Sequence, residues 1–350
     1  MNTQITSKHT ESAKTAYPIL DVVRFFMAFL VVLIHSRPFA ETAPAADFLI
    51  SDVVACVAVP LYFAISGFLL FRKLEYENGK VKWCAANRMR LARYLKRIGL
   101  IYIIWSGVYI VWQLPYWYQI GWWGMQAIKD CVANLFFSGG YYHTWFLLSL
   151  IYGVPLLFGV LLVCPKKRLP LVIAAGWLVE CLTYSYTWVV PELLQPVGWL
   201  MDKTPIVIDT VFRALPLLGV GVMLSDRASG YRNKASGVLC LVAMIACAAE
   251  ATILKIFSPN QSNFSYLIFT PFVAYLLLRC LLESRHLKLP TAVATVLREA
   301  SLIIYCLHPM IIEILTRSGM KTGVYLSLTV MALSAAASVG WVMLRRMRRR

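Results

Sequence analysis

Arg24 and His35 stand eleven positions apart in the apolar run DVVRFFMAFLVVLIH. A guanidinium holds anionic or polarised oxygens, and an imidazole gives and takes protons near neutral pH. At about 1.5 Å per residue the two lie ~16 Å apart along a helix axis. Eleven steps of about 100° close about three turns, so both side chains project from one face. Asp21 falls within about 60° of the same stripe, which therefore carries an acid, a base and an imidazole. Either cation alone could snorkel to a membrane surface. Together on one face, with only apolar residues between them, they read as a functional pair.

Other ionisable groups interrupt apolar runs, and at membrane depth each costs at least about 2.5 kcal/mol. Glu250 lies in CAAEATIL, at a depth similar to His35. His308 and Glu313 lie in SLIIYCLHPMIIEIL, where Pro309 frees a backbone carbonyl that His308 could satisfy locally. His143 heads the run GGYYHTWFLLSL, and Arg213 and Glu180 lie inside two further runs. Ser66, beside Gly67 in VPLYFAISGFLLF, reads as a close-packing position rather than a nucleophile. No metal-ligand spacing and no phosphate-binding glycine loop is evident. The nine cysteines lie mostly in or beside apolar runs and read as small core residues.

The elements that must position these groups are membrane helices. With 59% hydrophobic residues and a mean hydropathy of +0.66, the 350-residue chain exceeds what a soluble core could hide. Ten runs approach the ~20 apolar residues a spanning helix needs: 18–37, 51–72, 98–115, 143–163, 169–188, 207–224, 236–255, 264–283, 300–317 and 323–344. Of 34 Lys and Arg, 26 fall in one alternate set of loops and termini, six in the other, and two (Arg24 and Arg213) within runs. The positive-inside rule then predicts cytoplasmic termini and an even number of spans. The net charge of +17 follows this sorting and does not point to nucleic acid.

The first run is longer than a signal-peptide core and is expected to be retained. Residues 1–16 read as a disordered cytoplasmic tail, 17–345 as one membrane domain and 346–350 as a basic cytoplasmic tail. The segment 72–97 ends in a basic amphipathic helix entering the third span. The Trp- and Tyr-rich segment 113–143 predicts a short helix at the outer interface. The fold class is thus all-α: a polytopic bundle of about ten transmembrane helices.

Several of these motifs together resemble the bacterial membrane acyltransferase-3 family. They are Arg24-x10-His35 in the first span, VPLYFAISGFLL in the second and RMRLARYLKRIGLIY entering the third. YYHTWFLLSLIYG in the fourth and SLIIYCLHP in the ninth extend the likeness over about 17–345. The chain is most similar to members without an appended extracytoplasmic hydrolase-like domain. It also resembles the membrane half of vancomycin-resistance serine racemases, including a Glu like Glu250. Those carry a cytoplasmic racemase domain that these residues are not expected to hold.

The resemblance implies an enzyme of the bacterial inner membrane. It would move an acyl group, usually acetyl, from cytoplasmic acyl-CoA to a hydroxyl of an extracytoplasmic glycan or glycolipid. His35 would be the general base, or less readily an acyl-imidazole carrier, with Glu250 orienting or charge-compensating it. Arg24, directed by Asp21, would hold the donor, with Ser66 at similar depth. The family's arginine pair maps to Arg90 and Arg93 or equally to Arg93 and Arg97. His143, Trp145, Arg213 and His308 are candidates for acceptor contact or for structure. Acyl-CoA would be a co-substrate, with no resident cofactor or metal. Membrane lipids are expected partners, self-association is allowed, and nucleic acid is not expected. A second reading is a proton-coupled transporter or exporter of a lipid-linked glycan or small metabolite, using the buried His and Glu as a relay.

Overall fold

The computed structural model describes residues 17–186, 209–226, 234–257, 266–284 and 289–348. The expected N-terminal tail, and parts of the spans at 169–188, 207–224 and 264–283, lie outside the described residues. The elements are α1 (Pro18–Ser36), α2 (Pro44–Phe71), a hairpin of β1 (Tyr76–Glu77) and β2 (Lys80–Val81), and α3 (Ala85–Gln119). There follow α4 (Met125–Phe137), α5 (Trp145–Val163), α6 (Leu169–Tyr184) and α7 (Thr210–Met223). The last four are α8 (Lys234–Phe257), α9 (Thr270–Glu283), α10 (Thr291–Arg317) and α11 (Val324–Met347).

Among the described residues, seven helices are long and apolar enough to cross a membrane: α1, α2, α3, α5, α8, α10 and α11. The shorter helices α6, α7 and α9 coincide with the other three expected runs. Outward-facing positions carry large apolar side chains, such as Ile103 and Val111 on α3, Val238 and Ile245 on α8, and Leu328 and Trp341 on α11. A helical bundle with an apolar exterior is a multi-pass membrane protein, because helices satisfy their own backbone where no water can.

Local sequence explains the helix ends. α1 opens with Pro18 at its first position, has Asp21 in the first turn, and stops where Arg37 turns left-handed at φ 49°. α2 begins seven residues before the expected 51. Pro44 starts it, and a π segment (Phe48–Val54) and a 3-10 turn (Ala55–Val57) join it to the regular helix carrying Pro60. Proline lacks the N–H that an α-helical ladder needs, and the irregular turns immediately precede it. α3 is one continuous 35-residue helix, ~50 Å long at 1.5 Å per residue. It outreaches the ~30 Å hydrocarbon layer, so its basic first turns extend beyond the apolar core.

The sequence reading contained no hairpin between α2 and α3. Asn78 (φ 52°) and Gly79 (φ 76°) form its two-residue turn, the pairing that right-twisted strands favour. The Lys166 N–H donates to the Gly79 carbonyl at 2.8 Å, and the Lys166 ammonium lies 3.7 Å from the Tyr76 ring and 2.6 Å from Asp226. Three basic loops thus meet at one end of the bundle. At the other end Arg37 pairs with Asp47 (2.8 Å) and Asp52 (2.5 Å), and Thr322 donates to Glu41 (2.6 Å). The hydrogen bond that Arg37 donates to the Asp52 carboxylate pushes the Arg37 pKa up.

Two contacts hold the middle of the bundle. α2 and α7 cross backbone to backbone: a Cβ on Gly67 would lie 2.1 Å from the Leu218 carbonyl oxygen, and one on Gly221 1.9 Å from that of Ala64. Small residues permit this approach, in which dispersion between helices replaces the hydrophobic effect. α6 and α7 are tied by Arg213, whose Nε lies 2.7 Å from Glu180 Oε1, with Arg213 5% and Glu180 0% exposed. The guanidinium also faces the rings of Tyr266 (4.0 Å), Trp145 (4.8 Å) and Tyr184 (5.3 Å).

Both contacts predict stability effects. Gly221→Val forces the α2–α7 crossing apart and should cost at least about 1–3 kcal/mol, read as a lower denaturation midpoint in detergent. Arg213→Gln removes the cation from a buried carboxylate and should cost about 3–5 kcal/mol. The double variant Arg213→Met/Glu180→Gln should recover most of that loss, because neither charge is then left in the core.

Candidate active site

α1 packs more extensively against α10 than against any other element. Contacts at both ends fix their relative direction. Near the start of α1, Asp21 lies 3.7 Å from Arg298 of α10. Near its end, the His35 ring lies 5.3 Å, centroid to centroid, from His308 of α10. The helices therefore run parallel. Arg298 and His308 are ten residues apart, ~15 Å along the axis, against ~16 Å for Arg24 to His35. Each helix thus places an arginine at one level and a histidine at another, with apolar packing between.

The lower level is a cationic cluster. Asp21 stands between Arg24 (3.8 Å) and Arg298 (3.7 Å), two guanidinium groups sharing one carboxylate. The Tyr62 hydroxyl of α2 donates to the Arg24 carbonyl at 2.5 Å, at the same level of the bundle. Ser66, one turn on, donates to the Tyr62 carbonyl at 2.8 Å, bonding back to its own helix. Tyr94 of α3 interacts with Ser66, Arg24 and Arg97, which joins the basic turns of α3 to the cluster. Arg90 is held by Glu75 (3.2 Å) and Asn87 (3.1 Å) at the hairpin, whereas Arg93 and Arg97 are exposed. The two candidate arginine pairs therefore differ: one includes a residue engaged in holding the hairpin.

The upper level gathers three histidines from three elements: His35, His308, and His143 from the loop before α5. The His143 ring lies 5.7 Å from His308 and 5.0 Å from Tyr109 of α3. Tyr142 stands 5.0 Å from His35 and is half exposed, at the open side of the cluster. The Tyr305 hydroxyl donates to the His143 carbonyl and fixes that loop against α10. Tyr141 stacks on Tyr109 at 4.2 Å, and its hydroxyl donates to Glu313 at 3.2 Å. Glu313 also accepts from Trp112 (2.6 Å) and Gln113 (3.2 Å), and pairs with Arg317.

Polar satisfaction at this level is incomplete. His143 is 2% and His308 0% exposed. Both ring nitrogens of His143 and Nε2 of His308 are buried without a hydrogen-bond partner. Each such group costs about 1–3 kcal/mol when left without a partner, and three of them stand in this one cluster. Among the described residues no group of His, Cys, Asp or Glu could hold a metal ion.

The remaining candidates have partners of their own. Glu250 accepts the backbone N–H groups of Ile268 (2.6 Å) and Phe269 (3.1 Å) and the Tyr186 hydroxyl. It thereby satisfies donors left open at the start of α9. Among the described residues, the rings that stand against His35 are those of Tyr142 and His308. Trp145 and Arg213 belong to the ion pair between α6 and α7, although Trp145 follows His143 by two residues. Tyr62, Tyr94, Tyr109, Tyr141, Tyr142, Tyr305 and Arg298 escaped the sequence reading. Of these, Arg298 carried a usable signal, since its spacing to His308 nearly repeats that of Arg24 to His35.

A family model described as an acyltransferase domain matches residues 17–345, nearly the whole chain. Among curated proteins, the chain is similar to an "Amino-acid racemase" of Enterococcus faecalis, 26% identical over 84% of the chain and 41% of the relative. It is also similar to a "Serine/alanine racemase" of Enterococcus gallinarum, 26% identical over 83% of the chain and 40% of the relative. The chain thus spans about two-fifths of the length of the curated relatives it matches. No solved structure matches it. With the match running through both the arginine and the histidine levels of the α1–α10 pair, this chain belongs to the acyltransferase-3 family.

Proposed function

We propose that the protein is an O-acyltransferase of the bacterial inner membrane. On this reading it moves an acyl group, acetyl in the simplest case, from cytoplasmic acyl-CoA to a hydroxyl of an extracytoplasmic glycan or glycolipid. The observation that carries the reading is the parallel α1–α10 pair, with a cationic level at one end and an imidazole level at the other. A phosphate-bearing donor suits the first, and a hydroxyl that must lose a proton suits the second.

The steps are as follows. The donor's anionic portion lies against Arg93 and Arg97, with Arg24 and Arg298 deeper along its path. The acceptor oxygen attacks the thioester carbonyl carbon while His35 takes its proton. The tetrahedral intermediate collapses, the C–S bond breaks, and the thiolate withdraws past Arg24 as the ester forms. Glu250 acts at a distance, by fixing the start of α9. The racemase-named relatives share less than half their length with the chain, and racemisation is not part of this reading. In membrane terms we assign ten spans, with the hairpin and both termini cytoplasmic and α4 outside.

Acylation, donor affinity and topology each check these assignments. Mass spectrometry of envelope glycans should show one acyl group per modified sugar in cells with the gene and none without it. His35→Gln should lower acylation by at least about 100-fold while the protein still inserts. Arg24→Gln should raise the KM for acyl-CoA. Full acylation by the His35 variant would refute the base assignment. For topology, Lys129→Cys in a cysteine-free chain should react with an impermeant maleimide on intact cells, and Lys80→Cys only after permeabilisation. The opposite pattern would invert the orientation.

A further inference from the structure

The unsatisfied nitrogens of the imidazole level define what can sit there. His308 Nδ1 lies 3.1 Å from the Ile304 carbonyl oxygen, and a carbonyl can only accept. In the neutral ring Nδ1 therefore carries the proton, and Nε2 is a lone pair, buried without a partner. Neutral His143 offers one N–H and one lone pair, both likewise without a partner. The pair thus presents acceptor, donor and acceptor. A hydroxyl matches this set, donating to His308 and accepting from His143. A carboxylate supplies no donor, and an ammonium supplies no acceptor.

We propose that His143 and His308 form a subsite for a hydroxyl adjacent to the one that reacts at His35. The acceptor is then a vicinal diol, as on a sugar ring. The His35 and His308 rings stack at 5.3 Å with their planes 27° apart, so neighbouring hydroxyls of one sugar ring can address their edges separately. In this division of labour His35 handles the reacting proton, while His143 and His308 are positioning residues that select and orient the acceptor. Tyr142, half exposed beside His35, flanks the entrance. The subsite rests on the acyl-transfer reading for the fate of the reacting hydroxyl, but not for the binding of its neighbour.

The test uses the full chain in lipid nanodiscs, with trans-1,2-cyclohexanediol and cyclohexanol as probes. The first readout is 15N spectroscopy of histidine-labelled protein, which carries five histidines, assigned with single His→Gln variants. His308 should show its proton on Nδ1, and its Nε2 signal and that of His143 should move with the diol and less with the mono-ol. A proton on Nε2 of His308, or equal responses to the two probes, overturns the subsite. The second readout is release of CoA thiol from acetyl-CoA in the presence of each probe. Wild type should prefer the diol in kcat/KM, and His308→Gln and His143→Gln should each lower that preference at least tenfold. Comparing two probes within one variant cancels any loss of folded protein. An unchanged preference overturns the proposal while leaving the transferase reading intact. A diol-specific 15N response without thiol release supports the subsite and refutes acyl transfer from this donor.

Discussion

The parallel seating of α1 against α10 is the contact on which the rest of the site depends. Parallel neighbours keep the same vertical order, so arginine meets arginine level and histidine meets histidine level. An antiparallel pair would bring Arg24 beside His308 and scatter both clusters. The two guanidinium groups at the lower level are kept together by the single carboxylate of Asp21, at 3.8 and 3.7 Å. One negative charge between two positive ones leaves a net positive site, which in a low-dielectric surrounding favours an incoming anion. Apolar packing of Ala28 and Val32 on α1 with Ile304 on α10 holds the two helices together between the levels.

Charges away from this pair serve the scaffold. Arg213 and Glu180 are buried as deeply as the site histidines, yet the guanidinium pairs with Glu180 Oε1 and stands among Trp145, Tyr184 and Tyr266. Glu250 closes the open N–H groups at the start of α9. In both cases the ionised group has partners that account for its burial. The site histidines differ in forming no ion pair among the described residues, while His143 and His308 Nε2 are buried without a hydrogen bond. Pairing with an opposite charge or with backbone N–H donors, rather than burial, separates the two sets of intramembrane polar residues.

That distinction also marks how far the sequence could be read. Helix content and positions were legible because hydropathy runs record the length of a membrane crossing, and all ten expected runs coincide with helices wherever the chain is described. The shared face of Arg24 and His35 followed from helical period alone. The partners of Glu250 at the start of α9 did not follow, since depth in a membrane is one coordinate and helix neighbours are another. Loop 138–144 shows the same limit. Tyr141, Tyr142 and His143 read as interfacial residues, but Tyr305 draws the loop inward against α10. The Asn78–Gly79 turn was a local signal, overlooked within a segment dominated by its charges.

The vertical separation of the levels constrains any chemistry that joins them. About 16 Å is half the hydrocarbon thickness, too far for side chains at the two levels to act on one atom. A single reaction can use both only if a substrate bridges them. On the proposed reading the donor does so, its anionic part held low and its thioester carbon raised to the imidazoles on an extended arm. A small acceptor entering past Tyr142 need not penetrate further than the upper level. On that reading the site separates the large charged reactant from the hydroxyl-bearing one by depth, and only the acyl group passes from one to the other.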